Sequence, residues 1–174
     1  SKIYADLTPI IPADKRYTPD GRLARMWLGN DLWETRDYRT PAATTTLNIG
    51  TREGSNNILG LEYNYNPTQN NGNLRSHGIL QPGKIWKQSY EYDGANRLKC
   101  AAEALTTAPA VPCVQGTWRQ AFGYDAYGNR WVASTTGLTG VDPHEPIAQS
   151  NFDAATNRLY VNKSGYDAAG NQTR

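Results

Sequence analysis

The stretch FGYDAYGNR, residues 122–130, places a short polar run between two β-prone segments. An aspartate at the start of such a run can accept hydrogen bonds from backbone N–H groups two residues on. A glycine three residues later can take the left-handed conformation that closes a bulged hairpin. The stretch therefore predicts strand, tight turn and strand, with Asp125 holding the turn and Gly128 as its left-handed residue.

The same pattern recurs along the chain. Four copies align without gaps: YTPDGRL, YDGANRL, YDAYGNR and YDAAGNQ, each with glycine or asparagine four positions after the tyrosine. FDAATNRL carries one extra residue, YNPTQNNGNL carries three, and YRTPAATTTL is a degraded copy; successive anchors lie 21, 27, 27, 32, 28 and 14 residues apart. The structural turn residues predicted from these copies are Tyr17, Gly21, Tyr92, Asp93, Asn96, Tyr124, Asp125, Gly128, Phe152, Asp153, Tyr166, Asp167 and Gly170.

The segments beside the turns favour strands: ILGLEYNY (58–65), KIWKQSYEY (84–92), TWRQAFGY (117–124), RWVAST (130–135) and RLYVN (158–162). LKCAAEAL (98–105) is interpreted as a strand end that runs into a loop, with one helical turn. We predict an all-β fold of tandem antiparallel β-hairpins in one extended, curved or spiralling sheet. One segment covers 1–174, with a Cys-bounded loop insertion at 99–116 and a long Gly/Pro-containing connection at 137–150.

Composition agrees with strands and turns and excludes several partners. The 174 residues are 38% hydrophobic, with 11 Tyr, 5 Trp, 16 Gly and 10 Pro. The net charge is +2 without a run of like charges, so we expect no nucleic-acid partner. No stretch approaches the ~18 apolar residues of a spanning helix, so we expect no membrane insertion.

Two further residue sets leave alternatives open. Cys100 and Cys113 flank a small, Pro-rich stretch and could form a disulfide or remain two free thiols; their spacing is not that of a zinc or redox site. Aromatic side chains in or beside strands could bind a ligand such as a sugar ring, or pack across strands. The candidate ligand-binding residues are Trp27, Trp33, Trp86, Trp118 and Trp131.

The repeat Tyr-Asp-x-x-Gly-[Asn/Arg]-[Leu/Arg] resembles the YD repeat of the RHS (rearrangement hot spot) family, over roughly residues 16–174. The resemblance implies a segment of a larger bacterial protein whose hairpins form one spiralling sheet, secreted or at the cell surface. In several such proteins the sheet is a shell around a toxic domain; others act in adhesion, and the repeats have been regarded as carbohydrate-binding. The family's self-cleavage motif is not carried over, because VDPHEP (141–146) lacks its glycine and further repeats follow.

Catalytic and metal sites are not predicted. An aspartate that recurs once per repeat is expected to hold a turn, and His77 and His144 lack partners from separated elements. We expect no cofactor, no metal and no enzyme activity. The leading hypothesis is a structural wall or scaffold whose partners are the rest of the same polypeptide, or further copies of itself by strand addition. The alternative is a carbohydrate- or surface-ligand-binding module, and a minor one is part of a toxin-encapsulating shell.

Overall fold

The structure is a computed structural model, and it describes residues 16–28, 30–39, 43–65, 71–105, 113, 116–139, 146–159 and 165–173. The nine strands form one antiparallel sheet in chain order, so the predicted all-β fold of consecutive hairpins is confirmed. Within the described part of the chain, the only helical element is a 3-10 turn at Gln149–Asn151. The strands are β1 (Arg25–Trp27), β2 (Trp33–Arg39), β3 (Ala43–Gly50), β4 (Leu59–Tyr65), β5 (Leu74–Gln81), β6 (Lys84–Tyr92), β7 (Leu98–Leu105), β8 (Trp118–Tyr124) and β9 (Arg130–Thr136).

The tyrosine anchors lie at the ends of the even-numbered strands. Tyr65, Tyr92 and Tyr124 are the last residues of β4, β6 and β8, and Tyr38 is the penultimate residue of β2. Shorter copies close with single bridges, Tyr17 to Leu23, Phe152 to Leu159 and Tyr166 to Gln172. Tyr92 and Tyr124 therefore each end a strand immediately before a turn.

The chain divides into two compact units, Ser1–Gln88 with Leu105–Ala110, and Ser89–Ala104 with Val111–Arg174. In the first unit, side chains in register across β3, β4 and β5 form an apolar row on one face of the sheet. All members of this row are half-buried, and they include Leu47, Leu61 and Ile79. Packing in this unit is therefore that of a thin sheet rather than of a thick core.

In the second unit, the buried residues lie on both faces of the sheet. Cys100, Ala102 and Cys113 form a buried cluster, and Ala121 packs against it. Phe122 and Val132, which face each other across β8 and β9, are buried on the opposite face, because successive side chains of a strand alternate.

The prediction for LKCAAEAL was wrong. Leu98–Leu105 is a full strand that pairs with β8, without a helical turn, so the predicted loop insertion at 99–116 is wrong for residues 99–105. A small residue is required at Ala102 because it packs in one buried cluster with Cys100 and Cys113, which are joined by a disulfide. Tertiary packing thus overrides the helix propensity of alanine, leucine and glutamate.

The predicted connection at 137–150 is described at its two ends, 137–139 and 146–150. Gly137 has a positive φ of 69°, and a Cβ atom there would lie 1.9 Å from the Thr117 carbonyl oxygen, so this position requires glycine. The chain returns at Pro146, whose carbonyl accepts the N–H of Val132 at 2.8 Å. In the described part of the chain, we find no helix with the length and hydrophobicity needed to span a bilayer.

Candidate functional site

The turn at Asp125 is closed by its own carboxylate. Oδ1 accepts the backbone N–H groups of Tyr127 and Asn129 at 2.9 Å each, and Oδ2 accepts the side-chain amide of Asn129 at 2.7 Å. The carbonyl of Asp125 accepts the N–H of Gly128 at 3.2 Å, and φ of Gly128 is 89°. This geometry is a type I turn followed by a left-handed bulge residue, so Asp125 acts here as a turn residue.

Asp93 and Asp167 hold their turns in the same way. In each turn, one carboxylate oxygen accepts two backbone N–H groups at 2.8–2.9 Å. The other oxygen accepts a side-chain donor from the residue four positions on, at 2.7 and 2.9 Å. In the four ungapped copies, the residue four positions after the tyrosine has a positive φ: Gly21 (81°), Asn96 (62°), Gly128 (89°) and Gly170 (87°).

Two repeats vary the pattern without losing the turn. The first has Thr18 in place of aspartate, and its hydroxyl oxygen accepts the N–H of Arg22 at 3.0 Å. The repeat that begins at Phe152 has one extra residue; Asp153 still accepts two backbone N–H groups, at 2.7 and 2.9 Å, and Asn157 takes the left-handed conformation with φ 57°. A short side chain with an oxygen acceptor at the first position is therefore the shared requirement.

Hydrogen bonding lowers the pKa of these turn carboxyls. The backbone N–H of Arg97 is the main cause at Asp93, that of Thr156 at Asp153, and the side chain of Asn171 at Asp167. At Asp125, desolvation alone would raise the pKa, but hydrogen bonds from Asn129 and from turn N–H groups outweigh it, so the pKa is lowered. All four turns thus favour ionised carboxylates, which accept hydrogen bonds.

Consecutive turns are joined by arginines that sequence reasoning missed. The guanidinium of one repeat lies over the tyrosine ring of the next, with carbon-to-centroid distances of 4.2, 4.4 and 5.0 Å. Such cation–π contacts contribute about 0.5–1 kcal/mol at exposed sites. We call this set the turn ladder, and its members are Arg22 over Tyr38, Arg97 over Tyr124 and Arg158 over Tyr166.

The tyrosine hydroxyls add a second link between repeats. Tyr38 donates to the carbonyl of Leu23 and Tyr124 to the carbonyl of Leu98, both at 2.7 Å. In each case, the acceptor immediately follows the ladder arginine in sequence. The anchor tyrosine therefore uses both its ring and its hydroxyl to hold the preceding repeat.

The five candidate tryptophans all lie in strands and are half-buried. In the second unit, Trp131 packs over Gly123, where a Cβ atom would lie 2.3 Å from the indole. In the first unit, Trp33 faces Trp27 on one side and Gly50 on the other. Cross-strand packing thus accounts for three of the five tryptophans. Carbohydrate binding stays a prediction for the whole set, which is Trp27, Trp33, Trp86, Trp118 and Trp131.

Cys100 and Cys113 are joined by a disulfide, with their Cα atoms 6.1 Å apart. Both are buried, with exposed fractions of 5% and 1%. The disulfide thereby fixes a point in the β7–β8 connection against one face of the sheet.

The described residues hold no group of three or more His, Cys, Asp or Glu side chains that could bind a metal. His77 stacks on the ring of Tyr63, with ring centroids 4.8 Å apart, and His144 lies outside the described residues. The ring stacking gives His77 a packing role.

Three grooves accompany the turns and strands. The largest of the three, of about 780 Å³, lies in the first unit. The charged side chains that line it form ion pairs with one another, Arg22 with Asp20 and Arg25 with Glu53. A second groove of about 340 Å³ includes the Lys87–Glu62 ion pair, with 2.6 Å between Nζ and Oε2. A third, of about 480 Å³, separates two turns of the second unit. None of these three grooves has a tryptophan in its lining.

The chain matches no protein-family model, and no curated protein matches it significantly. The resemblance to YD repeats therefore rests on the repeated residues themselves, and membership of that family stays a prediction. The repeated residues form the turns and the turn ladder.

Proposed function

We propose that the chain is a non-catalytic, structural segment of a secreted or cell-surface protein of the YD/RHS-repeat type, acting as scaffold or wall. The observation that carries this proposal is the turn ladder. Its contacts join one repeat to the next, and the recurring aspartates are engaged in holding turns. Such an arrangement favours stacking of units over assembly of a catalytic centre.

The disulfide supports the proposed location. A buried disulfide in a small sheet is typical of proteins that fold in an oxidising compartment. As a minor alternative, we propose a wall of a toxin-enclosing shell; this alternative rests on the resemblance alone.

The outer edge of β9 supports self-association by strand addition. Val132 uses its outward N–H for Pro146, but all residues from 133 to 136 are exposed, and no described residue pairs with their outer side. The sequence of that segment, Ala-Ser-Thr-Thr, lacks the proline and charged residues that protect sheet edges. An unprotected edge can accept another strand through backbone hydrogen bonds.

Sedimentation velocity over a range of protein concentrations tests this edge. We expect reversible association of the chain, and Thr135→Lys, which places a charge on the edge, should shift it to monomer. Gln81→Lys is the matched control because it adds the same charge at the exposed end of an internal strand. A chain that stays monomeric at every concentration would contradict growth by strand addition.

A further inference from the structure

The turn ladder lacks an arginine at one junction of the second unit. The guanidinium groups of Arg97 and Arg158 lie over Tyr124 and Tyr166. Between those two contacts, the repeat that begins at Tyr124 has Asn129 at the position of Arg97, and the next anchor is Phe152.

Asn129 is too short to replace the arginine. Its side-chain amide donates to Oδ2 of Asp125 at 2.7 Å, which is the bond that Nε of Arg97 makes to Asp93 at 2.7 Å. The same amide donates to Oδ1 of Asn157 at 2.5 Å. Asn129 therefore reproduces the bond within the turn but supplies no cation to the next aromatic ring.

A groove of about 480 Å³ opens at this junction. Its walls combine aromatic rings with carboxylates, and no lysine, arginine or histidine is among its lining residues. Tyr127 is the most exposed large hydrophobic side chain of the described residues, at 77%. The lining residues that matter are Asp125, Tyr127, Gln149, Phe152, Asp153 and Asn157.

We propose that this groove binds the guanidinium group of an arginine side chain presented by a partner protein. Aromatic faces attract a cation, and carboxylate oxygens accept its N–H groups. The neighbouring junctions indicate this occupant, because each holds a guanidinium group, at 4.4 and 5.0 Å from the ring of the anchor tyrosine.

Charge and shape favour this group over others. The two aspartates and the absence of lining cations disfavour an anion. A guanidinium is planar, weakly hydrated and rich in donors, so it suits a slot between a ring and carboxylates better than the compact, strongly hydrated ammonium of lysine. The site does not depend on the proposed scaffold role, since a monomeric chain would carry the same groove.

The test is an NMR titration of the full chain with N-acetyl-arginine methylamide, followed through backbone amides. We expect saturable shifts at Ala126, Tyr127 and Asn157, weaker shifts with the lysine analogue, and none with the citrulline analogue, which keeps the shape without the charge. Tyr127→Ala removes one exposed wall and should weaken binding by roughly twofold to fivefold. Equal shifts with citrulline, or no saturable shift at these amides, would overturn the proposal.

Asn129→Arg is the matched variant. It can keep the bond to Asp125, as Arg97 does to Asp93, while it places a guanidinium over Phe152. We expect the folded variant to lose its response to the arginine probe and to melt at a higher temperature. If Asn129→Arg does not fold, Tyr127→Ala decides, and an unchanged affinity of that variant contradicts the site.

Discussion

The contact between Arg97 and Tyr124 provides the sharpest test of the turn ladder. The guanidinium of Arg97 lies 4.4 Å from the ring centroid, and its Nε donates to Oδ2 of Asp93 at 2.7 Å. The cation–π contact contributes about 0.5–1 kcal/mol at an exposed site. The ion pair with Asp93 adds a smaller, salt-sensitive contribution, because both side chains are partly exposed. Arg97→Met, which keeps the aliphatic stem, should therefore lower the free energy of unfolding by at least about 0.5–1 kcal/mol.

A double-mutant cycle separates the two contributions. Tyr124→Leu removes the ring, and the coupling energy between Arg97→Met and Tyr124→Leu should be about 0.5–1 kcal/mol. Urea denaturation measures all four proteins, and unchanged m-values would show that the denatured state is comparable. Arg75→Met is the control, because Arg75 is exposed on β5, and it should change the free energy by less than about 0.5 kcal/mol.

Two results would contradict a stabilising contact between Arg97 and Tyr124. A coupling energy near zero, with Arg97→Met still destabilising, would assign the effect to the bonds that Arg97 makes to Asp93 and to the carbonyl of Asp125. The tyrosine anchors would then act through packing and their hydroxyl groups. If Arg75→Met and Arg97→Met lowered the free energy of unfolding equally, the turn ladder would make no specific contribution to stability.

Three further predictions concern the turns and the disulfide. Gly128→Ala should destabilise by about 1 kcal/mol because φ is 89°, whereas Gly94→Ala should be neutral because its φ is not positive; thermal melting distinguishes them. Cys100→Ala with Cys113→Ala should cost about 3 kcal/mol by the loop-entropy estimate, measured by urea denaturation without reductant; an unchanged midpoint would contradict a structural disulfide. The lowered pKa of Asp125 stabilises the fold above the unfolded-state value of about 3.9, and this stability is lost as the pH falls through the lower folded-state pKa. Asp125→Asn should therefore reduce the difference in stability between neutral and acidic pH, and an identical pH profile would contradict the role of the carboxylate.

Local chemistry made the hairpins predictable from the sequence. The segment KIWKQSYEY coincides with β6, and the aspartate, the spacing and the left-handed residue together fix the turn at Asp125. These features act over a few residues, so the turn geometry of each repeat can be predicted from the sequence of that repeat. Recurrence then removed the ambiguity that a single copy leaves between a turn and a catalytic carboxylate.

Contacts between repeats were harder to predict because they depend on which turns are neighbours. The arginine at the end of YDGANR is visible in the sequence, but its partner Tyr124 is 27 residues away. Pairing each arginine with the next anchor would have found the ladder once consecutive hairpins were assumed to be adjacent. The strand at 98–105 was missed for a related reason. Ala102 packs against the disulfide, and this contact depends on Cys113, which is distant in sequence.

The turn ladder also bears on how such chains can lengthen or shorten. Its contacts bridge 16, 27 and 8 residues of sequence, yet the ring-to-guanidinium geometry is similar in all three. Insertions or deletions between a turn and the next anchor can therefore be accommodated elsewhere without breaking the contact. Because the repeats at these three junctions offer the same arginine and tyrosine, recombination between them would yield a chain whose junctions still match. Gain or loss of such repeats should therefore have little effect on the stability of the junctions, and we expect differences in length to lie away from the turns.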